Sequence, residues 1–387
     1  MTSQWRDLLP QAAAASLSDA LSDISSDARA VQFDALRSGS FVSLASDTGL
    51  IAVNGADAAS FLHGQLTNDV ERLSPVQARL AGYCSAKGRL LATFLMWRDT
   101  SPEATIYLAS DASVQTAVQK RLSMFVLRAK AKLSDGTATH VLLQVGGPAA
   151  EAVLTRTFTS LPTAPLVAVH ATMGDAPVNA TSLIRLPDAG VARSLSRFLW
   201  SVPVAQAPHV WHALVQTEGV VAVDPAIAAW LDVQSGVARV TAATQEQFVP
   251  QMINWEVVGG VNFRKGCYPG QEVVARSQYR GTIKRRLHLA HVEGEAPLPG
   301  QALIETSDAD QPCGMVVQAA PAPDGGFDVL VEVKLAARET DDVRIGSVDG
   351  PALAFAELPY AIIDPTETNG TPAASTASDG SAASSAS

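Results

Sequence analysis

The chain has 387 residues, of which 47% are hydrophobic and 17% charged, with 28 Lys and Arg against 38 Asp and Glu for a formal net charge of −10. That length gives two or three domains with buried cores, and the composition excludes collagen-like, coiled-coil and wholly disordered classes. The acidic balance excludes a surface that coats nucleic acid or anionic membrane as a whole and leaves only a local basic patch open. Three scattered cysteines, Cys84, Cys267 and Cys313, are too few for a disulfide scaffold or a four-thiolate metal site and fit a reducing compartment.

The N-terminal stretch MTSQWRDLLPQAAAASLSDALSDISSD lacks the basic start and continuous apolar run of a secretory signal and gathers Asp too early for a transit peptide. No segment approaches the ~18–20 apolar residues that span a bilayer. The expectation is a cytoplasmic monomer with no membrane contact, its first thirty-odd residues forming a helix or two docked on the body. Gly49–Asn54 then reads as a strand, and Asp57 as the N-cap of a helix with Ala58, Phe61, Leu62 and Leu66 on one face. Arg79–Ser85 and Arg89–Trp97, joined by Ala86-Lys87-Gly88, read as a hairpin. A strand at Thr105–Ala109 leads into a helix with Val114, Ala117, Val118, Leu122 and Phe125 aligned. Strands at His140–Val145 and Ser182–Leu186 flank a helix at Pro148–Thr155, and helices follow near Val210–Thr217 and Ala226–Ser235. Mixed units of this kind predict α+β subdomains of split β-α-β type.

After Arg286 the helical period vanishes. His288–Val292, Ala302–Glu305, Gly314–Gln318 and Phe327–Val333 are short strands between Pro, Gly and Asp clusters, predicting a small β-barrel that ends near Leu358. From Pro365 onward no apolar residue exceeds Ala, so the tail cannot offset its ordering entropy and is expected to be disordered. The expected boundaries are an N-terminal extension over 1–38, a two-subdomain core over 39–285, the barrel over 286–362 and the tail over 363–387.

Phosphate-loop, dinucleotide and nucleophile-elbow motifs are absent. The histidine pairs His209/His212 and His288/His291 have no Cys, Asp or Glu at ligand spacing, and the second pair falls on opposite faces of its strand; no metal is expected. One segment stands apart. Residues 264–286, RKGCYPGQEVVARSQYRGTIKRR, hold Arg264, Lys265, Arg276, Arg280, Lys284, Arg285 and Arg286 with the single acid Glu272, and 28 less these seven leaves 21 basic residues for the rest of the chain. Such a concentration points to a bound anion, the plain alternative being a solvated face on a structural hairpin. Cys267 lies inside it beside Lys265, and nearby cations favour thiolate. It is the candidate reactive residue, although a Cys/His arrangement would need an imidazole that the neighbouring sequence does not provide. Cys313 fits a small buried side chain and Cys84 is intermediate.

Lys265-Gly266-Cys267-Tyr268-Pro269-Gly270-Gln271-Glu272, with Ala275-Arg276, Arg280-Gly281 and Lys284-Arg285 after it, resembles the signature of the YgfZ family, folate-binding relatives of the glycine-cleavage T-protein with members serving iron–sulfur assembly. Gly55-Ala56-Asp57 with Phe61-Leu62-His63-Gly64-Gln65-Leu66-Thr67-Asn68-Asp69-Val70 resembles the family's first helix, Tyr83–Arg89 its hairpin, and QMINWEVVGG over 251–260 its approach to the signature. The resemblance spans roughly residues 40 to 360. It implies a ring of two ferredoxin-like α+β subdomains and a C-terminal barrel around a folate channel, and tetrahydrofolate as ligand. A pterin needs a flat apolar wall and polar edge partners, and its glutamate tail needs cations. Trp230 and Tyr83 are the implied wall, Arg276 the implied tail partner, and Asn68, Gln234, Tyr268 and Glu272 further implied contacts, with Cys267 and Lys265 as the reactive pair. Two departures matter. Where T-proteins carry paired aspartates, this chain reads Gly88-Arg89-Leu90-Leu91-Ala92-Thr93, and an apolar pair does no acid–base work. The R-x-E-x-G segment is Asp232-Val233-Gln234-Ser235-Gly236, with an amide in place of the pterin-pairing carboxylate. The resemblance therefore implies a folate-dependent accessory protein for iron–sulfur clients rather than an aminomethyltransferase. The alternatives are a tRNA-modification protein gripping phosphate through the basic segment with Tyr268 and Tyr279 interleaved, and a non-catalytic folate-binding regulator.

Overall fold

The computed structural model describes residues 25–173, 180–190, 196–281, 283–340 and 342–362. The expected tail and the first part of the N-terminal extension lie outside the described residues. Helix α1 (Ser26–Arg37) begins at Ser25, whose hydroxyl accepts from the Ala28 amide. It is followed by β1 (Ser40–Leu44), β2 (Thr48–Asn54), the short α2 (Ala58–His63), the hairpin β3 (Ala78–Cys84) and β4 (Leu90–Arg98), β5 (Ile106–Asp111), α3 (Ala112–Met124) and β6 (Lys132–Asp135). Strands β2 to β6 form a five-stranded sheet in the order β3-β4-β5-β2-β6. Its face is covered by α2 and α3, which bury Phe61, Leu62, Val114, Val118 and Leu122 against it. Asp111 caps α3 by accepting from the Ser113 amide at 3.0 Å.

Two expectations are corrected here. Asp57 makes no side-chain cap on α2 and instead accepts from the Lys130 amide; the helix stops at His63, so Leu66 reaches the core from the loop beyond it. Phe125, read as part of the buried face of α3, follows the last helical residue and stands 46% exposed.

The second unit comprises β7 (His140–Gly146), α4 (Pro148–Leu154), β8 (Ala168–Thr172), β9 (Ala180–Arg185), β10 (Arg197–Pro203), α5 (Ala207–Val215), β11 (Val220–Ala222) and α6 (Pro225–Gln234). Its sheet runs β11-β1-β7-β10-β9-β8. Strand β1 thus crosses from the first part of the chain to pair antiparallel with β7 and parallel with β11, and the two subdomains interleave rather than follow one another. Asp224 caps α6 through the Ala226 amide at 2.8 Å.

After α7 (Gln271–Tyr279) come β12 (Arg285–Val292), β13 (Ala302–Glu305), β14 (Gly314–Pro321), β15 (Phe327–Lys334), a short α8 (Leu335–Thr340), β16 (Val343–Ile345) and β17 (Ala354–Ala356). They make an antiparallel sheet in the order β16-β13-β14-β15-β12-β17. It curls into a half-barrel, and no ladder joins β16 to β17 among the described residues, so the closed barrel expected from the strand spacing is an open one. The core of this sheet is continuous with α6 and with the loop holding Phe248, Ile253 and Trp255. The fold is α+β, as the sequence pattern predicts.

Candidate functional site

The signature loop is pinned from below. Lys265 is 9% exposed, and its ammonium donates to the carbonyls of His63 (2.6 Å), Leu66 (3.0 Å) and Gly266 (3.2 Å), while lying 4.9 Å over the Tyr268 ring. Burial holds that ammonium down at about 8, against the pull of Asp69, Cys267 and Glu71. The cation therefore ties the loop to the C-terminal end of α2. Gly270, at φ +79°, packs onto the β3–β4 turn: a Cβ there would stand 2.4 Å from the Ser85 carbonyl oxygen. Only glycine allows both that backbone conformation and that approach. The Pro269-Gly270 turn then starts helix α7, so the basic stretch is a loop and a helix rather than a hairpin.

This arrangement leaves Cys267 exposed, whereas Cys84 and Cys313 are buried. Burial pushes the Cys84 thiol up to about 12 and also raises that of Cys313. The seven basic residues divide. Arg286 is buried on Glu256 at 2.5 Å, Arg285 pairs with Glu332 at 3.1 Å, and Lys265 is held by carbonyls; Arg264, Arg276, Arg280 and Lys284 are exposed around the loop and α7. Glu272 and Arg276 both lie on the exposed side of α7. An imidazole that the nearby sequence does not reveal also reaches the loop. His63 Nε2 is 3.5 Å from where a Cβ on Gly266 would stand, and its Nδ1 is 3.2 Å from Asp69 Oδ1, close enough for an ion pair though misaligned for a hydrogen bond. Burial opposes the charge on Asp69, but the Arg72 amide and His63 lead the contacts that hold its carboxyl below the usual value.

The remaining sequence candidates occupy structural positions. Asn68 donates to the carbonyls of Leu80 and Gly259, both at 2.8 Å, and accepts from the Asp69 amide. Tyr83 is buried among Phe61, Leu62 and Phe94, and burial raises its hydroxyl against a hydrogen bond from Arg121. Tyr268 is buried beneath the loop. Trp230 is 2% exposed, edge-on to Phe33, with its indole N–H on Asp328 Oδ2 at 2.7 Å; Gln234 donates to the same oxygen at 2.6 Å. Asp328 Oδ1 meets His291 Nδ1 at 2.8 Å. Trp230 and Gln234 thus fasten α6 to the half-barrel.

A separate cavity lies where the first two sheets meet α6. It has about 670 Å³ of atom-free space counted to its mouth, within the range of small-molecule sites. None of Tyr83, Asn68, Trp230, Gln234, Tyr268, Glu272 or Arg276 lines it; its apolar walls include Leu80, Phe94, Leu95, Leu199 and Trp255. Its polar groups are paired charges. Arg197 donates to Asp232 Oδ1 at 2.6 Å and to the Pro187 carbonyl at 2.9 Å. Arg239 bonds Asp47 and, at 3.0 Å, the Thr48 hydroxyl. Burial alone would lower the Arg239 guanidinium, but the Asp47 carboxylate more than offsets this and raises it. Gln144 donates to Asp232 Oδ2 at 3.2 Å, and its Oε1 has no hydrogen-bond partner among the described residues. Nothing in the sequence marks these residues, since Asp47, Gln144, Arg197 and Arg239 come from four separate segments. Among the described residues no three His, Cys, Asp or Glu side chains converge as metal ligands, and no helix is long and apolar enough to cross a membrane.

The GCVT N-terminal domain family matches residues 17–185. A crystal structure of the glycine cleavage system aminomethyltransferase T from Bartonella henselae superposes with a TM-score of 0.67 at 21% identity, over 86% of this chain and 89% of that one, so the two share a fold. The tRNA-modifying protein YgfZ of Klebsiella pneumoniae is 32% identical over 82% of this chain and 92% of its own length. Its namesake from Photobacterium profundum is 31% identical over 82% and 91%. With that identity sustained along nearly the whole length of both relatives, and with the signature loop built as described, the chain belongs to the YgfZ family of T-protein-like proteins.

Proposed function

We propose that this protein holds a reduced folate in the central cavity and supports the synthesis or repair of iron–sulfur clusters in client proteins, with Cys267 as its working thiol. The observation that carries the reading is the contrast among the three cysteines: two are buried, and the third is presented at the surface on a loop clamped by Lys265 and Gly270. A thiolate at such a position can ligate or exchange with a cluster, whereas a buried thiol cannot. The cavity suits the ring end of a folate, with apolar walls and paired charges. Methylene transfer of the T-protein kind is disfavoured, because Leu90 and Leu91 are buried and Asp232, the one carboxylate among the described lining residues, is tied to Arg197.

The test is complementation of a strain lacking its own family member, scored by the activity of iron–sulfur enzymes. Cys267→Ser is expected to fail where the wild type restores activity, and full restoration by Cys267→Ser refutes the thiol's role. The relatives' name and the exposed Arg264, Arg276, Arg280 and Lys284 favour a second reading, direct contact with tRNA. That contact predicts tRNA binding at low salt that weakens steeply as salt is added, and absence of binding at low salt removes it.

A further inference from the structure

Gln144 Oε1 is the feature of the cavity left unexplained by the fold. Gln144 is only 6% exposed and sits on β7 among its described lining residues. A buried amide oxygen without a donor costs about 1–3 kcal/mol, so such groups are rare unless something else supplies the hydrogen bond. Its orientation is fixed by chemistry. Nε2 faces Asp232 Oδ2 at 3.2 Å, and turning the amide over would set oxygen against oxygen. Oε1 is therefore an acceptor held beside a carboxylate whose two oxygens have taken one donor each from these partners and have lone pairs to spare. The charges balance, Arg197 with Asp232 and Arg239 with Asp47, so the pocket offers acceptors without a net charge to neutralise.

We infer that Gln144 Oε1 and the Asp232 carboxylate together read the donor edge of a neutral, planar, amino-substituted heterocycle, which enters the cavity ring first and leaves any anionic tail at the mouth. The inference rests on the folate reading and deepens it: the donor edge is the 2-amino pyrimidine side of the pterin. Gln234, committed to Asp328 and absent from the lining, takes no part in it.

Calorimetric titration of the full chain tests this with three probes: tetrahydrofolate, pterin, and lumazine, which carries an oxo group where pterin carries the amino group. The wild type is expected to bind pterin at least about tenfold more tightly than lumazine, the value of one hydrogen bond to a buried acceptor. Gln144→Met is expected to lose about tenfold in affinity for tetrahydrofolate and pterin and to abolish the preference. The comparison of probes on the wild type needs no variant and holds even where Gln144→Met fails to fold. Tetrahydrofolate binding with equal affinities for pterin and lumazine overturns the inference and leaves the folate reading standing. Preference for pterin without tetrahydrofolate binding does the reverse, and no binding of any probe overturns both.

Discussion

Gly270→Ala isolates the fit between the signature loop and the β3–β4 turn. Two terms add. An alanine forced to φ +79° costs about 1–2 kcal/mol. Its Cβ would also stand 2.4 Å from the Ser85 carbonyl oxygen and 2.6 Å from Gly88 Cα and N, all backbone atoms, so the loop must move off the hairpin at a cost of about 1–3 kcal/mol, as in an overpacked core. Gly259 provides the control: its φ is +81° and a Cβ there meets nothing within 4 Å, so Gly259→Ala carries the first term alone. The expected destabilisation is about 2–5 kcal/mol for Gly270→Ala and about 1–2 kcal/mol for Gly259→Ala. At about 2.1 cal/mol/K per residue of unfolding entropy, a chain of this length melts roughly 1 °C lower per kcal/mol, so scanning calorimetry should place Gly270→Ala a few degrees below Gly259→Ala. The rate of Cys267 alkylation should change in the first variant and not in the second. Equal melting temperatures and unchanged alkylation in both variants would refute the clamped-loop account.

Native protein should react with a thiol reagent at one cysteine, Cys267, and denatured protein at three, because Cys84 and Cys313 are buried; rapid labelling of Cys84 would contradict its place in the core. Lys265, lowered from 10.5 to about 8 by burial, makes the unfolded chain bind the extra proton between those values, so stability of the wild type relative to Lys265→Met should rise across pH 8 to 10.5 and stay flat just below 8; a flat difference throughout is the contrary result in denaturant titrations. His291 has the opposite sign. Burial would lower it, but Asp328 and Glu293 raise it above 6.5, so the stability it adds is complete below pH 6.5 and lost as pH climbs through the folded value; melting curves of His291→Gln should approach the wild type on the alkaline side, and a constant gap from about pH 5 to 9 would exclude that clamp.

Period and punctuation made most of the strands and helices legible. The alternating runs at 79–97 and the 3.6-residue spacing at 114–122 depend on neighbours in sequence, and the structure keeps both. What escaped depends on partners far along the chain. Strand β1 is apolar in most of its length because it is sandwiched between β7 and β11, about a hundred and more residues away, and α7 is short with Val274 its one buried side chain, too few for a visible stripe. The site divides on the same principle. The signature loop is contiguous and could be read directly; the cavity draws Gln144, Arg197, Asp232 and Arg239 from separate stretches of sequence, each an ordinary polar residue until the fold opposes them. Trp230 and Gln234 show the converse, having the right chemistry for a pterin but spending it on Asp328.

The hairpin β3–β4 connects the two halves of the site. Its turn, at Ser85 and Gly88, supports Gly270 and Val273 of the signature segment, while Leu80, Thr93, Phe94 and Leu95 farther along the same strands line the cavity. Five residues of strand separate Gly88 from Thr93, roughly 16 Å at the usual rise. That separation is too long for a bond to form between a ring seated beside Thr93 and a thiol seated at the turn. On the proposed function the folate and Cys267 therefore do not exchange atoms directly. The ligand acts on the loop through the hairpin it packs against, and Gly88, whose Cβ would strike Val273 at 2.7 Å, is the contact through which a change in the cavity would reach the thiol.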